Sequence, residues 1–141
     1  MTGFVVDASV AVKWVVEEIH FQSARRLLAK SYELLVPYFF FAEVANVFWK
    51  RVNRRENSAD DAKLALEAIK AQPLQVYSAR VLMVDAFDMA IQTQRAVYAC
   101  VYLTLAVKHK GQMVTADQKL FNALQNSSLA AYLHWVEDLP S

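Results

Sequence analysis

Short apolar runs alternate in this chain with longer stretches in which apolar residues recur every three or four positions. Phe4-Val5-Val6 has no polar alternation, the pattern of a buried strand, and Ser9 beyond it is placed to cap a helix. Ala11, Val12, Trp14, Val15 and Val16 favour the start of that helix. Phe21 to Lys30 sets Ala24, Leu27 and Leu28 at helical spacing, and Leu34-Leu35-Val36 before Pro37 predicts a second buried strand. From Phe39 to about Arg54 the apolar positions again follow a helix, which ends in the charged run Lys50 to Arg55. Ser58 followed by Asp61 resembles a capping box for a helix from Ala59 to Ala71, stopped by Pro73. Leu74 to Tyr77 predicts a third strand. Helices follow over about Val84 to Gln94 and Tyr98 to Lys110, with Gly111 as a left-handed C-cap. Gln112 to Thr115 is a fourth strand, Gln118 to Gln125 a short helix, and Tyr132 to Val136 an edge strand.

Strands that alternate with helices, in a chain with only 2 glycines, imply an α/β fold. Parallel strands need crossover connections, so helices cover both faces of the sheet. The length of 141 residues fits one compact domain. The 56% hydrophobic content is high for so small a chain and implies apolar surface covered by a second subunit or another partner.

Charge narrows the picture little: 15 Lys and Arg balance 14 Asp and Glu, so any nucleic-acid surface must be local. The lone Cys100 excludes an internal disulfide framework and reads as a buried thiol suited to a reducing cytosol. The start of the chain lacks a basic leader, and its longest apolar stretch, Leu34 to Ala42, is far below the ~20 residues a membrane helix needs, so a cytoplasmic protein is expected. His20, His109 and His134 show no zinc spacing. The glycine-rich and serine motifs of dinucleotide enzymes, NTPases and serine hydrolases are absent.

The informative polar residues are three acids. Asp7 closes the first strand, Glu43 interrupts an aromatic and aliphatic stretch, and Asp117 ends Met113-Val114-Thr115-Ala116. Buried carboxylates are costly unless paired or bound to metal. Parallel sheets place ligands at the C-terminal ends of their strands, where Asp7 and Asp117 are predicted, so the two can converge. Taken singly, Asp7 and Asp117 serve equally well as helix caps.

In order, Val5-Val6-Asp7-Ala8-Ser9-Val10, Ala42-Glu43-Val44-Ala45-Asn46, Val97-Tyr98-Ala99-Cys100-Val101-Tyr102-Leu103-Thr104-Leu105-Ala106 and Val114-Thr115-Ala116-Asp117 resemble the motifs of a PIN domain. The likeness is to the VapC toxins of VapBC-type toxin–antitoxin pairs. It implies a three-layer α/β/α sandwich around a mainly parallel sheet of four to five strands. It also implies that Asp7, Glu43 and Asp117 hold Mg²⁺ or Mn²⁺ for RNA cleavage, and that an antitoxin and a second copy are partners. The chain departs from the family at Ala99, where an aspartate is usual, whether by natural loss or by substitution. An alternative is a catalytically degenerate PIN domain that binds RNA or an antitoxin.

Around the acids, Ser9, Asn46 and Thr115 are candidates to hydrogen-bond a carboxylate or a metal-bound water, or to act as caps. Lys50, Arg51, Arg54 and Arg55, with Arg25, Arg26 and Lys30 as a second cluster, are candidates for RNA phosphates or an acidic partner. A solvated charge run is the alternative for both. Trp14, Phe39, Phe40, Phe41, Phe48 and Trp49 fall at helical spacing, which favours core or interface packing over base stacking. A phosphoacceptor domain also uses strand-end acids, but no lysine follows the Met113-Val114-Thr115 strand where such a site needs one.

Overall fold

The computed structural model describes residues 3–29 and 31–141; Lys30, in the second basic cluster, lies outside them. Five strands form one wholly parallel sheet in the order β3-β2-β1-β4-β5. These are β1 (Gly3–Val6), β2 (Glu33–Pro37), β3 (Leu74–Tyr77), β4 (Gln112–Thr115) and β5 (Leu133–Trp135). The central strands are buried from Phe4 to Val6, Leu34 to Pro37 and Met113 to Thr115, which explains their unbroken apolar runs.

The chain starts in the middle of the sheet, builds outward through β2 and β3, and returns to the other side of β1 as β4 and β5. The order reverses between β1 and β4. At such a switch point the connections leave in opposite directions and open a crevice at the carboxyl ends of the strands. Asp7 follows β1 and Asp117 follows β4. Topology therefore sets both acids at the mouth of this crevice.

Seven helices flank the sheet among the described residues: α1 (Ala8–Val12), α2 (Phe21–Arg25), α3 (Phe40–Asn53), α4 (Ala59–Lys70), α5 (Ala79–Thr93), α6 (Val97–Lys108) and α7 (Gln118–Leu124). This is the PIN-like three-layer architecture expected. Helix α6 is buried without interruption from Cys100 to Ala106 and packs on β1, β2 and β4, with α5 laid over it. Helix α3 packs on α1 and α4 and buries Phe40, Val44 and Phe48. No described helix is long and apolar enough to cross a membrane.

Several local expectations are corrected. Asp7, not Ser9, is the N-cap of α1, which begins at Ala8: the Asp7 carboxylate accepts the Val10 amide and Ser9 only supports it. Helix α5 begins at Ala79, five residues early, because Val81, Met83 and Val84 face solvent and break the apolar periodicity that marks a helix start. Gly111 is not the left-handed residue; Lys110 takes that conformation at φ 53°. Gly111 is needed for another reason, since a Cβ there would stand 2.5 Å from the Gly3 carbonyl oxygen. The aromatic set also divides. Trp14, Phe40 and Phe48 are in the core, whereas Trp49 is 60% exposed.

Candidate active site

The first acid is fixed by the helix it starts. The Val10 N–H and the Ser9 hydroxyl both donate to Asp7 Oδ1, at 2.9 and 2.8 Å. Asp117 repeats the device at α7, accepting the Leu120 N–H on Oδ1 at 3.1 Å. Its own N–H donates to the buried Thr115 hydroxyl at 3.0 Å. Both aspartates thus act as caps while directing their side chains to the carboxyl edge of the sheet. Glu43 lies in the first turn of α3, where the helix dipole favours a carboxylate. It accepts the Tyr102 hydroxyl on Oε1 at 2.6 Å, a contact between residues 59 apart in sequence.

Asp7, Glu43 and Asp117 line one cavity of about 340 Å³. Ser9, Asn46, Lys50, Ala99 and Tyr102 share its wall. Ala99 lies one helical turn before Tyr102 and faces this space. Thr115 is not in the wall and serves beneath it, through the Asp117 backbone. Of the Lys50 to Arg55 run, only Lys50 reaches the cavity. Arg51 turns to Asn57 and Glu18, and Arg54 and Arg55 are exposed beyond the end of α3. In the second cluster, Arg25 bonds the Trp14 carbonyl and Arg26 the Leu139 carbonyl, so both tie the fold together.

Burial raises the Asp7 carboxyl from its ordinary 3.8 to about 6, and the charges of Glu43 and Asp117 push it the same way. The cap bonds from Val10 and Ser9 oppose that rise without cancelling it. The acids therefore repel one another across the cavity. All three are hard oxygen donors, the kind Mg²⁺ and Mn²⁺ prefer. Yet among the described residues no group of three or more His, Cys, Asp and Glu side chains is placed to hold a metal ion. The arrangement fits a cation that keeps most of its water and takes one or two carboxylates directly, not one enclosed by three.

Tyr102 belongs to the third sequence motif, yet sequence reasoning does not single it out for the site. A signal is available: it follows Ala99 by three residues, so both lie on the same face of α6. Burial, then the Glu43 carboxylate, holds its phenol far above the ordinary range, so it remains a donor. Tyr98 also lines the cavity, with its ring edge-on to Phe39 at 5.4 Å between centroids.

Comparison with known proteins follows the same lines. Residues 4–125 match the family described as PIN domain. The chain is 33% identical over 118 residues to Ribonuclease VapC3 of Pyrobaculum aerophilum, a match spanning 82% of this chain and 90% of that protein. Among solved structures, PAE2754 from Pyrobaculum aerophilum superposes with a TM-score of 0.71 at 17% identity, over 96% of this chain and 85% of that one. Mycobacterium tuberculosis VapC20, a sarcin-ricin loop cleaving toxin, gives 0.62 at 16% identity over 83% of this chain and 93% of that one. VapBC2 from Rickettsia felis, bound to a DNA fragment from its promoter, gives 0.61 at 11% identity over 95% and 98%. At these identities the structural likenesses speak to the fold.

Proposed function

This chain belongs to the PIN domain family as a VapC-like protein, and from that premise we propose that it is a metal-dependent endoribonuclease of the toxin type, weakened by Ala99. The observation that carries the reading is the meeting of Asp7, Glu43 and Asp117 in one cavity at the sheet's switch point. Asp7, presented by its cap, and Glu43, presented by Tyr102, are the direct ligands in this reading, with Asp117 completing the negative field. A bound Mg²⁺ or Mn²⁺ supplies charge neutralisation at the scissile phosphate and a more acidic bound water. The protein's part is positional. Ser9 and the α1 backbone orient Asp7, Thr115 anchors the start of α7, and Asn46 and Lys50 offer a donor and a positive charge to an RNA phosphate. The cognate antitoxin is the expected protein partner, the working form a homodimer, and the site of action the cytoplasm.

Ala99 supports a second reading, in which the domain has lost hydrolysis and retains binding. Its methyl group supplies no oxygen to a cavity whose remaining acids do not by themselves form a metal group. Loss of a group that merely supports a metal's ligands typically costs ~10–100-fold in metal affinity or activity, and loss of a ligand costs at least as much. The two readings separate when the purified chain and Ala99→Asp are assayed on RNA with Mg²⁺ and with Mn²⁺. Cleavage by both, stronger in Ala99→Asp, supports the nuclease reading. Cleavage by Ala99→Asp alone supports the binding module, and cleavage by neither sinks the nuclease assignment.

A further inference from the structure

A second cavity adjoins the acidic one. It has a volume of about 390 Å³ and a mainly apolar wall that includes Tyr38, Phe39, Val76 and Tyr77, with Arg80 beside them. The Phe39 ring packs edge-on against Tyr98 and Tyr102, at 5.4 and 5.6 Å between centroids. Those two tyrosines line the acidic cavity. One aromatic ring therefore separates the two spaces.

Tyr38 is 74% exposed, and Tyr98 on the other side of the partition is 64% exposed. The Tyr38 backbone is nonetheless fixed, since its N–H donates to the Tyr77 carbonyl at 2.8 Å and continues the pairing of β2 with β3 by one residue. A held backbone with its ring left to solvent forgoes the burial that an aromatic side chain ordinarily gains. Arg80 is exposed and forms no ion pair among the described residues. It stands in the first turn of α5, where a positive charge opposes the helix dipole, so helix stability does not account for it.

We propose that the second cavity is a nucleotide subsite, in which the base next to the scissile phosphate stacks on Tyr38 and Arg80 pairs with that nucleotide's own phosphate. The inference rests on the RNA reading of the acidic cavity. A nucleotide joins a flat apolar ring to an anion, and the cavity sets an open tyrosine beside an unpaired cation. Continuity makes the neighbouring nucleotide the occupant: a strand with one phosphate at the three acids reaches the second cavity by crossing the single ring of Phe39. The acids repel every phosphate that a metal does not neutralise, so the next one along needs a cation of its own, and Arg80 supplies it. Stacking tolerates any base, so the subsite adds affinity and register more than sequence choice.

Fluorescence anisotropy in Mg²⁺ tests it, with an end-labelled oligo(A) RNA and an abasic strand of the same length, read before cleavage accumulates. The parent should bind oligo(A) at least about 5-fold more tightly than the abasic strand, the lower end of what one base–aromatic stack contributes. Tyr38→Leu should abolish that preference and Tyr38→Phe should keep it; the exposure of the side chain spares the fold in both. Arg80→Gln should weaken both strands alike and make the fall of log affinity with log salt shallower by about 0.7. Equal binding of the two strands by the parent overturns the subsite and leaves the nuclease reading standing. So does an unchanged salt slope in Arg80→Gln, or a base preference that survives in Tyr38→Leu, whether or not that variant alters association with a second copy or another protein. Binding of neither strand by the parent overturns the subsite and the RNA reading together.

Discussion

Replacing Asp7 by asparagine removes a charge while leaving a helix cap in place, because the two residue types are nearly equivalent at that position. The introduced amide oxygen can still accept the Val10 and Ser9 hydrogen bonds that Asp7 takes at 2.9 and 2.8 Å. What disappears is the cost of ionising a carboxylate whose value stands at about 6 instead of 3.8. At 1.36 kcal/mol per tenfold change in acidity, that cost is about 3 kcal/mol once Asp7 is fully charged. Because the folded-state value is raised, the folded protein holds the proton more tightly than the unfolded chain. The parent therefore loses stability as pH climbs from about 4 to above 6, and Asp7→Asn does not. Weaker capping and an amide group lacking a partner return roughly 1 kcal/mol. The net gain at pH 8 in a chelator should be about 2 kcal/mol, or roughly 6 °C in Tm for a chain of this length. At pH 4 the gap should close. Urea denaturation at both pH values measures it directly, and Mn²⁺ at saturating concentration should shift the balance back toward the parent by mass action. If Asp7→Asn were no more stable than the parent at pH 8, or gained equally at pH 4, the cost of burying an ionised Asp7, with the smaller push from Glu43 and Asp117, would be the wrong account.

Ala99→Asp should tighten Mn²⁺ binding by ~10–100-fold, measured by calorimetry, while lowering Tm in chelator because it adds a fourth repelling charge to the cavity; unchanged affinity would count against the role given to that position. Tyr102→Phe removes the donor to Glu43 Oε1 and should cost about 1–2 kcal/mol in urea unfolding. It should also reduce Mn²⁺ affinity, and a variant that only loses stability would reduce Tyr102 to a packing residue. Gly111→Ala forces a methyl group against the Gly3 carbonyl and should destabilise by about 1–3 kcal/mol without altering the sheet order. A neutral result would show that the β1 and β4 ends separate more freely than the structure implies.

By itself, the sequence determined the order of strands and helices, because buried parallel strands need uninterrupted apolar runs and a helix covering a sheet needs apolar residues at helical spacing. It also marked the three acids, since carboxylates at strand ends and in an aromatic stretch are costly without a purpose. Where it misled, one interaction had been mistaken for another. Asp7 outcompeted Ser9 as cap because its carboxylate sits at the helix start and the Ser9 hydroxyl two residues further on. Gly111 is demanded by a neighbouring backbone rather than by its own φ angle. The start of α5 was obscured by apolar residues turned to solvent. Only the tertiary structure decided that Tyr102 holds Glu43, that Lys50 alone of its basic run enters the cavity, and that Ala99 faces it. Local sequence encodes backbone preference and periodicity within a few turns. Which distant side chains meet depends on the order of strands in the sheet, and here the reversal between β1 and β4 brings Asp7 and Asp117 to a single crevice.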